Sequence, residues 1–150
     1  MKGFVAMLKT IFAGFLVAAA FTSCAVAAEI GRVKAAAGAA TVQRGKALVP
    51  ATPGLTLDVA DVLVTGKDGR IGVTFIDNSR FAVGPNSRVS LTKFEFDDTT
   101  HKGSSLTTVD RGSLAIVSGQ IAKENRDEMK VRTPTSLLAA RGTRFVVEVK

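Results

Sequence analysis

Apolar side chains recur at every second residue through much of this chain, in short runs broken by clusters of Gly, Pro, Asp, Asn and Ser. A period of two gathers the apolar set on one face of a strand, so the pattern restricts the chain to sheet architectures. Ile71, Val73 and Phe75 alternate with Gly72 and Thr74, Asp77-Asn78-Ser79 interrupts, and Phe81 and Val83 resume. That arrangement predicts a β-hairpin. Gly84-Pro85-Asn86-Ser87 predicts a second turn, because these residues supply fixed or positive φ. Val89 and Leu91 keep the alternation, while Phe94 and Phe96 fall on the opposite parity. One core for both pairs requires a β-bulge near Thr92-Lys93. The clearest strand is the segment where Phe145, Val147 and Val149 alternate with Arg144, Val146, Glu148 and Lys150.

Elsewhere the pattern is weaker. Residues 97–104 read as a polar loop, and Asp110-Arg111-Gly112-Ser113 as a turn between apolar runs at 106–109 and 114–117. Residues 122–128 read as a helical turn or a solvated loop, and their charge favours the loop. The alanine-rich piece at 35–40 has helix propensity, but Gly38 within it and Val33, Thr41 and Val42 around it predict two short strands about a turn. After residue 29 no stretch holds helical spacing over three turns. The expected fold is therefore all-β, a single domain at 29–150 of short antiparallel strands and hairpins forming a sandwich or rolled sheet. Phe75, Phe81, Val89, Leu91, Phe145 and Val147 are its expected core.

Residues 1–28 differ. Lys2 and Lys9 make a basic start, residues 11–21 are apolar, Ala25-Val26-Ala27-Ala28 is a small-residue run, and the first acid is Glu29. These are the parts of a secretory signal peptide, and the apolar core falls short of the roughly 20 residues that span a bilayer. Residues 1–28 are thus expected to be a helical signal peptide, cleaved after Ala27 or Ala28 to release a periplasmic protein without a membrane span. Phe21-Thr22-Ser23-Cys24 offers an alternative, a lipoprotein anchored through Cys24. Without the leader, 18 basic and 13 acidic residues remain. Basic charge on an exported chain points to anionic envelope surfaces or acidic proteins rather than nucleic acid, with plain solubility as the simpler reading.

The residue inventory leaves little room for catalysis. With one Cys and one His the chain cannot build a structural zinc site or an internal disulfide, and a hydrolase would rest on His101 alone. Glu95, Asp97, Asp98 and His101 lie close in sequence, but Glu95 on a strand points away from Phe94 and Phe96, so they make a weak metal set. Asp97-Asp98, or Glu124 and Asp127, are the only notable carboxylate pairs for glycoside hydrolysis, yet a carbohydrate groove is usually lined with Trp or Tyr and the chain has neither. No phosphate-binding Gly loop occurs. No catalytic, metal or cofactor residue is assigned, and no cofactor is expected.

The order of several pieces resembles the FecR domain. Leu57-Asp58-Val59-Ala60-Asp61-Val62-Leu63-Val64-Thr65-Gly66 is similar to its opening signature, with Ala60 where the family usually has Gly. Either a tight turn is opened there or the position does without positive φ. The hairpin at 73–81 and Gly84-Pro85-Asn86-Ser87 fit its middle. Val131-Arg132-Thr133-Pro134-Thr135 and Arg141-Gly142-Thr143-Arg144-Phe145-Val146-Val147 resemble its close. The likeness covers roughly residues 30–149. FecR is a relay between an outer-membrane receptor and a cytoplasmic sigma factor, and its conserved domain is periplasmic, all-β and without attributed catalytic residues. Only the periplasmic module carries over, and the sigma-factor role is left open, since no regulatory segment is read before the leader and no second apolar stretch able to span.

Asp61, Thr65, Asp77, Ser79, Pro85, Asn86, Ser87, Thr133, Pro134 and Gly142 are the expected structural motif residues, holding turns by side-chain bonds to backbone or by fixed φ. Pro134 suits a strand start or edge. Arg141, Gly142, Thr143, Arg144, Val146 and Glu148 are the candidate partner-binding residues. The expected function is a non-enzymatic protein-interaction or signal-sensing module of the bacterial envelope, its partner another envelope protein of receptor, sensor or secreted-adhesin type. The alternative is a glycan- or peptidoglycan-binding module.

Overall fold

The computed structural model describes residues 28–139 and 144–150. Residues 1–27 of the expected leader and the Arg141-Gly142-Thr143 segment lie outside them. Twelve strands form one curled, mostly antiparallel sheet among the described residues. They are β1 (Gly31–Ala37), β2 (Ala40–Arg44), β3 (Ala47–Pro50), β4 (Thr56–Leu57), β5 (Val62–Thr65) and β6 (Arg70–Phe75), followed by β7 (Arg80–Val83), β8 (Arg88–Phe96), β9 (Gly103–Val117), β10 (Met129–Arg132), β11 (Leu137–Ala139) and β12 (Arg144–Val149).

The sheet curls into two walls that share β9. In the first wall the pairing runs β4, β1, β6, β7, the C-terminal half of β9, and β12. In the second it runs β3, β2, β5, β8, the N-terminal half of β9, β10 and β11. One hydrophobic core fills the space between, with Val33, Ile71, Val73, Phe75, Leu114 and Ile116 from one wall and Val42, Leu63, Val89, Leu91 and Val109 from the other. Phe75 packs edge-on against Phe81 at 4.6 Å and stacks on Phe94 at 5.4 Å between ring centroids.

The alternating pattern is realised where it was strongest. Ile71 faces Val83 and Val73 faces Phe81 in the β6–β7 hairpin, and the β8–β9 register shifts between Leu91 and Lys93, where the parity change demanded a bulge. Residues 35–40 form the end of β1, a turn with Gly38 at φ 61°, and the start of β2. Phe75, Phe81, Val89, Leu91 and Val147 are buried, and Phe145 is half-buried.

Four expectations are corrected. Asp110-Arg111-Gly112-Ser113 is not a turn but the middle of β9. There the buried set changes from Ser105, Thr107 and Val109 to Leu114 and Ile116, a change of parity that lets one strand serve both walls. Residues 122–128 take the helical alternative rather than an irregular loop: a short helix α1 (Gln120–Glu124) buries Ile121 and Ala122, a 3-10 turn (Arg126–Glu128) follows, and residues 123–127 stay exposed. Ala60 does occupy positive φ, at 73°, so its turn is kept without glycine. Pro134 sits in the bend between β10 and β11 rather than in a strand. The single parallel pair among the described strands, β10 on β9, follows from the crossover through α1.

Candidate functional site

The motif residues separate into buried turn-holders and an exposed terminal strand. Asp61 is 1% exposed at the start of β5. Arg44 at the end of β2 grips it with two bonds, Nε to Oδ1 at 3.0 Å and Nη2 to Oδ2 at 2.8 Å, and the Asp58 N–H donates to Oδ2 at 2.9 Å. Arg44 also donates to the Thr56 carbonyl at 2.9 Å. The carboxylate bonds hold the Arg44 guanidinium still further above its ordinary pKa. This bidentate pair ties β2 to the turn leading into β5.

Thr65 and Ser87 close the passage from the first wall to the second. The Thr65 hydroxyl donates to the Gly84 carbonyl at 2.6 Å and accepts from the Ser87 N–H at 2.9 Å. The Ser87 hydroxyl donates to the Pro85 carbonyl at 3.1 Å and accepts from the Ser113 N–H at 3.0 Å. Asn86 supplies a positive φ of 52° in the same turn. Asp77, wholly buried, accepts the backbone N–H and the hydroxyl of Ser79 at the hairpin tip. Its carbonyl accepts the Gln120 N–H at 2.8 Å, and its carboxylate lies 3.4 Å from the Ile121 nitrogen, so the hairpin anchors the start of α1. Thr133 caps the bend to β11 by accepting the Ser136 N–H at 3.0 Å, and Pro134 is exposed beside it.

Arg144, Val146 and Glu148 share the outward face of β12, while Phe145, Val147 and Val149 turn inward. Among the described residues β12 pairs with β9 alone, so its other edge is open. Val146 is 67% exposed there.

The other sequence candidates do not converge. Asp97, in the turn between β8 and β9, accepts the Thr99 and Thr100 N–H groups at 2.9 and 3.4 Å. These backbone bonds hold its carboxyl below the usual aspartate range. His101 instead stacks on Phe96, with ring centroids 6.3 Å apart. No group of three His, Cys, Asp or Glu side chains among the described residues is arranged to hold a metal. Sequence reasoning missed Arg44, Arg32 and Arg80. Arg44 lies 17 residues from the carboxylate it binds, and the other two fall in line with Arg144 only through strand register.

The geometry defines a class, an all-β domain of one curled sheet whose buried polar side chains close turns and whose terminal strand, among the described residues, leaves an edge unpaired. The chain belongs to the FecR family, whose profile, described as FecR protein, matches residues 61–150. This is an envelope-associated regulatory and signalling family. Strands β1 to β4 precede the matched segment but are built into it, since β1 pairs with β6 and β2 with β5. The search of curated proteins and that of solved structures returned no significant match.

Proposed function

We propose that the chain is an exported, non-enzymatic signalling or interaction module of the bacterial envelope, acting in the periplasm by docking another envelope protein of receptor, sensor or adhesin type at the edge of β12. The observation that carries this reading is the open edge itself, with exposed Val146 set between Arg144 and Glu148. An unpaired edge offers backbone N–H and C=O groups to an added strand, and the flanking charges discourage indiscriminate self-pairing. Family membership and the leader-like residues 1–28 support the envelope setting. The non-enzymatic reading is supported by the use of Asp61, Asp77 and Ser87 in turns.

Val146→Pro alters the backbone of that edge. With circular dichroism unchanged, the variant is expected to lose about tenfold in capture of envelope protein, a change worth about 1.4 kcal/mol. A photo-crosslinker at position 146 should mark the same partner. Undiminished capture by the folded variant would refute docking at this edge.

A further inference from the structure

The outward face of the first wall carries a charge pattern that edge docking leaves unused. Ladder register places Arg32, Thr74, Arg80, Val117 and Arg144 in one row across β1, β6, β7, β9 and β12. The next row is Ala35, Gly72, Ala82, Ala115 and Val146. Gly72, Ala82, Ala115 and Val146 of that row line a shallow groove of about 430 Å³ together with Arg70, Gly84, Pro85 and Ser113, and the arginine row runs alongside it on the same face. Successive arginines are two strands apart, and at about 4.8 Å per strand they stand about 10 Å from one another. All three are exposed. Arg32 pairs with Glu29, whereas Arg80 and Arg144 form no ion pair with a described residue. Exposed Lys34 and Arg70 add positive charge, against Glu148 at the far corner.

We propose that this face takes an acidic segment of the partner protein in the polyproline II conformation, laid across the strands with a carboxylate at every third residue. A polyproline II chain turns once in three residues and rises about 3.1 Å per residue, so every third side chain points the same way and stands about 9 Å from the last, close to the about 10 Å between arginines. Each guanidinium can then hold one carboxylate bidentately, while the Ala and Gly floor admits the peptide backbone closely. A membrane surface would call for large apolar side chains beside the cations, and a glycan for an aromatic platform. In these two rows Val146 is the one large apolar side chain that stands well exposed, and neither row holds an aromatic ring. The inference rests on the docking function above and names the chemistry of the partner.

The test is calorimetric titration of the full chain at low salt with two synthetic peptides of identical composition. One has glutamates at every third residue, three in all, separated by Ser and Ala, and the other has the three glutamates adjacent. The spaced peptide is expected to bind about tenfold more tightly, and Arg80→Glu to weaken it about tenfold. Ala82→Leu should weaken it too by filling the groove, with the melting temperature of both variants unchanged. Equal binding of the two peptides overturns the proposal, as does indifference to Arg80→Glu. Tighter binding of a sulfated oligosaccharide or of phosphatidylglycerol vesicles overturns it also. Arg80 is two strands from the edge of β12 and so tests the face alone. Absent peptide binding with intact capture at β12 overturns the face and leaves edge docking standing. Spaced-peptide binding with no capture at β12 supports the face and refutes the edge.

Discussion

A carboxylate that is 1% exposed needs partners for its charge, and Asp61 depends on Arg44 for two of its bonds. Arg44→Met leaves that carboxylate with the Asp58 N–H and no counter-charge. Breaking a fully buried pair costs about 3–5 kcal/mol. The Arg44 side chain is 39% exposed, so solvent already screens part of the pair, and a loss of about 2–3 kcal/mol is expected. Urea unfolding should show it as a lower midpoint at unchanged slope. A change under about 0.5 kcal/mol would mean that water replaces the guanidinium. Asp61 was legible in the sequence as a turn residue, because Asp beside a tight turn accepts backbone N–H groups. Its partner was not. Nothing local marks an arginine on another strand, and only the pairing of β2 with β5 brings it there.

Elements were legible where one face is apolar and turns are local. The β6–β7 hairpin and the β8 bulge needed only side-chain parity. Helix α1 was hidden because its anchor comes from Asp77, 44 residues earlier, and only Ile121 and Ala122 make its buried face. The unbroken β9 was hidden because Asp-Arg-Gly-Ser has the composition of a turn. Gly112 instead bends the strand at φ 88°, and a Cβ there would stand 2.0 Å from the Ser87 hydroxyl oxygen. Gly112→Ala is thus expected to combine backbone strain of about 1–3 kcal/mol with weakened Ser87 bonds of about 1 kcal/mol. Gly45→Ala is the control, since Gly45 has a similar φ of 60° but open space around it. Thermal unfolding should rank Gly112→Ala as clearly worse. Equal melting temperatures would show that the Ser87 contact yields without cost.

At the scale of the molecule, both walls close on a core whose centre is Phe75, 3% exposed and touching two other rings. Phe75→Ala is expected to cost about 3–5 kcal/mol, a large part of the roughly 5–15 kcal/mol typical of a domain. Half-buried Phe145 should cost less when cut to alanine, about 1–2 kcal/mol from lost apolar area. Equal losses would place Phe145 in the core proper. The sharing of β9 also sets the order in which such a chain can mature. A polypeptide delivered N-terminus first gains hairpins and part-sheets through β8 before it holds the strand that joins the two walls. Closure is therefore late and long-range, the slow kind of event in folding. Until residues 103–117 arrive, the inner faces of both half-built walls stand bare, and exposed apolar strands of that kind aggregate. The growing chain is for that interval a natural client for a holding chaperone.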